Sequence, residues 1–105
     1  MKQQIYTLGA WHVQDGKQQE FITAWKELGE VFGALPDPPG KGILIQSTSD
    51  STLFYSFGPW NNMEAIEIMR NNPQAQEGIQ KLIDLCTEAA PGSFRVVAES
   101  PEPGA

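Results

Sequence analysis

Soft metal-ligand chemistry is nearly missing from this chain, which has one cysteine, Cys86, and one histidine, His12. A single cysteine closes no internal disulfide, and one distant Cys with one His makes no zinc set. The carboxylates show no calcium-loop spacing, and no Gly-rich phosphate loop leads into a helix, because Pro39-Gly40-Lys41-Gly42 runs into a strand. The expectation is no metal and no cofactor. Basic residues are also few: seven Lys and Arg stand against 13 Asp and Glu, and the net charge of −6 repels both a nucleic-acid backbone and an anionic lipid surface. No apolar run approaches the roughly 18 residues that span a bilayer. Neither nucleic acid nor membrane is an expected partner. The opening Met1-Lys2-Gln3-Gln4 lacks the pattern of a secretory signal, so the expected location is cytoplasmic.

With 105 residues and 40% hydrophobic content, the chain supports one modest core. Ile5 to Gln14 reads as a strand stopped by Asp15-Gly16. Phe21, Trp25, Leu28, Phe32 and Leu35 recur every three or four residues and predict a helix, opposite Lys17, Gln19, Lys26 and Glu30, ended by Gly33 and Pro36. A Pro/Gly-rich loop over 36–42 precedes two strands, Ile43 to Thr48 and Leu53 to Gly58, joined as a hairpin. Asn61, with Glu64 three residues on, predicts a helix cap. That helix breaks near Asn71-Asn72-Pro73, and a second piece carries Ala75, Ile79, Leu82, Ile83 and Cys86 on one side until Pro91-Gly92. Phe94 to Glu99 is the expected last strand, residues 1–100 the domain, and residues 101–105 a disordered tail.

The order β, α, β, β, α, β predicts an α+β, ferredoxin-like unit with an antiparallel four-stranded sheet and its helices on one face. Strand alternation assigns Thr7, Trp11, Val13, Ile43, Ile45, Tyr55, Phe57 and Phe94 to the helix side, and Tyr6, Leu8, Ala10, His12, Leu44, Phe54, Ser56 and Arg95 to the other. The second set is too apolar for free solvent and predicts a homodimer.

Three stretches then carry a family resemblance: Asp15-Gly16-Lys17 leading into Glu20-Phe21, the Gly-rich approach to the second strand, and Phe57-Gly58-Pro59-Trp60-Asn61-Asn62-Met63-Glu64-Ala65 running toward Pro73. Over nearly its whole length the chain resembles the antibiotic-biosynthesis-monooxygenase-like (ABM-like) group of the dimeric α/β-barrel superfamily. The resemblance implies a homodimer with a ligand pocket between helices and sheet. Members include cofactor-independent monooxygenases of aromatic polyketides or quinols, and haem-degrading enzymes. Many relatives have a histidine nine residues after the tryptophan, where this chain has Met69, and the early asparagine of the haem-degrading enzymes is replaced near Tyr6 or Thr7.

The resemblance points to a cofactor-independent monooxygenase-like protein acting with O₂ on a small phenol, quinol or polyketide. Trp60 would stack on the ring and Tyr55 would bind its oxygen; the competing readings are a packing tryptophan and a tyrosine turned to solvent. Trp11, Phe21, Trp25, Phe57, Asn62 and Met69 complete the expected ligand-binding set, although Phe21 and Trp25 could equally fill a closed core and Asn62 simply start a helix. Arg70 and Arg95 are candidates for drawing in an anion or for ion pairs. Two alternatives stay open: a non-catalytic dimer that binds a small hydrophobic molecule, and a haem protein using His12.

Overall fold

The structure, a computed structural model, describes residues 3–104. The elements are β1 (Ile5–Val13), α1 (Gln18–Gly33), β2 (Ile43–Gln46), β3 (Leu53–Trp60), α2 (Met63–Arg70), α3 (Pro73–Asp84) and β4 (Cys86–Arg95). They form an antiparallel sheet in the order β2-β3-β1-β4 with three helices, the ferredoxin-like α+β arrangement. No helix among the described residues is long and apolar enough to cross a membrane. The expected tail over 101–105 and the domain start at residue 1 both reach residues outside the described range.

β1 leaves for α1 through Asp15-Gly16, where Gly16 has φ +89°, a left-handed conformation that a side chain would strain. α1 then buries Phe21, Ala24 and Leu28 on the sheet. The β2–β3 turn is tied by its own side chains. Ser47 Oγ accepts from the Ser49 and Asp50 backbone N–H groups, and Asp50 Oδ1 accepts from the Thr52 hydroxyl at 2.6 Å and the Thr52 N–H at 3.0 Å. Those bonds, the hydroxyl's foremost, hold the Asp50 carboxyl below its ordinary pKa.

The α2 cap differs from expectation by one residue. Asn62, not Asn61, accepts from Ala65 N at 2.9 Å, because Asn61 is drawn away to Asp37 Oδ1 at 2.6 Å. Asn72 caps α3 in the same way, through Ala75 N at 2.9 Å, with Pro73 in the first helical position.

The last strand begins eight residues earlier than predicted. Thr87 through Ser93 has weak strand character, and Pro91 removes an N–H, but β4 is a sheet edge, where a missing donor costs no ladder bond. Cys86 therefore opens β4 opposite Val13 instead of closing the helical stripe.

Strand alternation also corrects the assignment of faces. Trp11 pairs with Phe54, Gly9 with Ser56 and Leu44 with Ser56, so Phe54, Ser56 and Leu44 lie on the helix side with Trp11. Phe54 is 1% exposed, packed on Phe21 with ring centroids 5.4 Å apart. Tyr55, Phe57, Ile43, Ile45 and Phe94 turn to the opposite face with Tyr6, Leu8, Ala10 and His12.

Candidate functional site

The core falls into two clusters. One gathers Trp11, Val13, Phe21, Phe54 and Leu82; the other gathers Leu35, Trp60, Ala65, Ile66, Met69 and Ala75. Between α1, the sheet and the α2–α3 layer the chain forms a cavity of about 720 Å³ that is open on one side. Trp11 and Trp25 supply its aromatic wall, Leu28, Phe32, Met69 and Ile79 much of its aliphatic and edge surface, and glycines of the sheet and of the loop before β2 its remaining backbone wall.

Glycines shape this space. A Cβ on Gly9 would fall 2.6 Å from the Trp11 indole, so the ring lies flat across the strand only because Gly9 carries no side chain. A Cβ on Gly58 would stand 3.2 Å from Gly42 Cα, which places the pre-β2 loop hard against β3. Trp25 in turn packs over Gly42.

Two hydroxyls border the cavity, and each is held by a tryptophan. Trp11 Nε1 donates to Ser56 Oγ at 2.9 Å, and Trp60 Nε1 donates to Thr7 Oγ1 at 2.9 Å. A hydroxyl that accepts an indole N–H keeps its own hydrogen to donate. Thr7 and Ser56 therefore each have a hydrogen to donate to a ligand lying against Trp11. Water excluded by apolar walls would strengthen such bonds.

The structure brings Trp11, Trp25, Phe57 and Met69 of the expected set to the cavity, Phe57 through its backbone, since its side chain points to the opposite face. It places the other four elsewhere. Tyr55 is 41% exposed on the outer sheet face. Trp60 is 2% exposed and packs edge-on against Phe32, stapling α1 and α2 to β3. Phe21 fills the first core cluster between Trp11 and Phe54, and Asn62 is occupied as the α2 cap. Tyr55 and Trp60 are an odd number of residues apart in one continuous strand and cannot share a face. The strand predicted over Leu53 to Gly58 stops two residues short of Trp60, so its alternation does not expose this conflict. Once β3 is extended to Trp60, its inward indole would have identified Ser56 from sequence.

His12 lies on the outer face, in register with Leu53 and Glu88, and Arg95 lies off the cavity. Arg70 borders it, as do Lys26, expected on the solvent side of α1, and Lys41. Cys86 is half-buried, and burial pushes its thiol up to about 11. Among the described residues, no group of three or more His, Cys, Asp or Glu is placed to hold a metal.

No protein-family model and no curated protein sequence matches this chain. Solved structures do. A variant of SnoaB, a cofactor-independent oxygenase from Streptomyces nogalater, superposes with a TM-score of 0.82 at 17% identity, over 94% of this chain and 98% of that one. A second SnoaB structure gives 0.78 at 14% identity, over 97% and 99%. A Bordetella bronchiseptica protein provisionally assigned as an antibiotic biosynthesis monooxygenase gives 0.76 at 14%, over 92% and 100%. Agreement over nearly the full length of both partners shows that this chain has the ferredoxin-like fold of the ABM-like proteins.

Proposed function

We propose that the chain is a cofactor-independent oxygenase that binds a flat phenol, quinol or polyketide-type ring in the cavity and delivers it to O₂. The observation that carries this reading is the pairing of an indole wall with two indole-anchored hydroxyls in one apolar space of about 720 Å³. The ring would lie on Trp11, with Trp25 beside it. Thr7 and Ser56 would donate to the ring oxygen, stabilising the anion left when the substrate loses a proton. That anion reacts with O₂. One oxygen atom becomes a carbonyl at the reacting carbon, and the other leaves as water with two substrate hydrogens, both from that carbon in an anthrone, or one from the carbon and one from the hydroxyl in a phenol, so no external reductant is needed. Neither Tyr55 nor Trp60 touches the ring in this proposal, because neither borders the cavity; Trp60 acts only by anchoring the Thr7 hydroxyl.

None of the 13 carboxylates borders the cavity, nor does His12. The substrate must therefore be acidic enough to ionise without a side-chain base. The same observation favours the second reading, a non-catalytic module that binds a small hydrophobic molecule. O₂ uptake against a panel of anthrones and hydroquinones separates the two. Multiple-turnover uptake, reduced by Ser56→Ala in a folded variant, supports the oxygenase; saturable binding with no uptake above the uncatalysed rate supports the module.

The functional unit proposed is a homodimer closed through the outer sheet face. Ile43, Ile45, Tyr55 and Phe94 are each 41–55% exposed there. The molecule is only 19 Å across in its thinnest direction, room for one sheet and one helix layer. Strand spacing and rise give a bare face of about 15 by 25 Å, more as side-chain surface, which is at the limit of what a monomer leaves in water. A second copy matches it in chemistry, apolar centre to apolar centre, under a two-fold axis.

A further inference from the structure

The cavity of this acidic protein has a cationic rim. Of the six described basic residues, Lys26, Lys41 and Arg70 border it, and all three are exposed, as groups at an opening are. They come from three separate elements: α1, the loop before β2, and the last turn of α2. No acidic residue borders the cavity, although the chain has 13. Among the described residues the only ion pairs are Lys17 with Glu20 and Lys81 with Glu27, both away from this opening. Lys26, Lys41 and Arg70 thus form no ion pair among the described residues. Arg70 is oriented by one bond, from Nη2 to Ser93 Oγ at 3.2 Å, which leaves its other donors free.

A random scatter of charge on a chain of net −6 would on average put more carboxylates than cations at an opening. The reverse arrangement forms a local positive field in a negative surface, which concentrates anions at the cavity and turns them charge-first toward it. Apolar walls below and cations above fit an amphipathic molecule: a flat ring that enters the cavity and an anionic group that stays at the rim. We propose that the ligand is a planar aromatic carboxylate, its ring against Trp11 and Trp25 and its carboxylate held by Lys26, Lys41 and Arg70. This rests on the reading of the cavity as a ligand site and adds the class of molecule it selects. A carboxylate at the rim is left intact by the proposed chemistry and acts as the handle that orients the ring.

The test compares anthraquinone-2-carboxylate with its neutral methyl ester, following tryptophan fluorescence of the full chain at low and at 0.5 M salt. The acid is expected to bind at least tenfold tighter than the ester at low salt, with most of the advantage gone at high salt. In K26Q/K41Q/R70Q, shown to be folded by circular dichroism, the acid is expected to bind no tighter than the ester. Lys17→Gln, a cation removed from the other end of α1, should retain the preference. Equal affinity of acid and ester for the unmodified protein, or a preference that survives the triple substitution, overturns the carboxylate assignment while leaving the cavity reading in place. Failure of both probes to bind overturns the two together.

Discussion

At the scale of single residues, Gly9 has the most exacting position. Gly9→Ala would drive a methyl group to 2.6 Å from the Trp11 ring and force the indole off the strand, breaking its bond to Ser56. Overpacking of this kind should cost about 1–3 kcal/mol, read by chemical denaturation, together with a change in tryptophan emission. Cys86 gives a second prediction. Its pKa of about 11, against the ordinary 9.0, makes the native thiolate roughly 100-fold scarcer near neutral pH, and the higher nucleophilicity of a more basic thiolate recovers about tenfold. Native Cys86 should react with a neutral disulfide reagent about tenfold more slowly than the urea-unfolded chain; equal rates would show that burial does not protect it. The raised value also fixes a pH dependence. The folded state holds this proton more tightly than the unfolded state, so the contribution is complete below pH 9.0 and is lost as pH rises through about 11.

At the scale of elements, the two asparagine caps should dominate the stability of the short helices. Asn62→Ala and Asn72→Ala are each expected to cost about 1 kcal/mol, and Asn61→Ala clearly less, since Asn61 makes only a solvent-exposed bond to Asp37. An Asn61→Ala loss equal to that of Asn62→Ala would contradict the observed cap. This one-residue displacement shows where sequence reasoning reached its resolution: side-chain chemistry announces a helix start, but Asp37, 24 residues away, decides which asparagine serves. The long helix α1 was legible because its apolar spacing repeats over four turns. β4 was not, because its stability comes from pairing along β1 at a sheet edge instead of from β-branched residues of its own. The site suffered most from one feature. With β3 read as stopping at Gly58, nothing tied Trp60 to the strand's alternation, and the inward and outward residues of β3 were exchanged. Trp11 and Trp25 were legible as cavity residues from β1 and α1; Ser56 and the cationic rim were not, since no local pattern marks a serine or lysine that long-range packing turns toward a cavity.

At the scale of the whole molecule, the bare sheet face and the cavity lie on opposite sides of one sheet, so assembly and ligand binding can be tested apart. Ile45→Lys combined with Tyr55→Asp places charges where Ile45 and Tyr55 face each other in register, and should turn a dimer into a monomer near 11.6 kDa by light scattering while the cavity residues stay in place. A monomeric unmodified protein at micromolar concentration would contradict the homodimer. The central claim, that the space between α1 and the sheet is a ligand site, is tested most directly by titrating ¹⁵N-labelled protein with anthraquinone-2-carboxylate and following the three tryptophan indole N–H resonances. The account predicts saturable shifts of the Trp11 and Trp25 signals, with Trp11 moving as its Ser56 partner takes up the ligand oxygen. Shifts confined to amides of outer-face residues such as Tyr55 and Phe94, or no shifts at all, would contradict it.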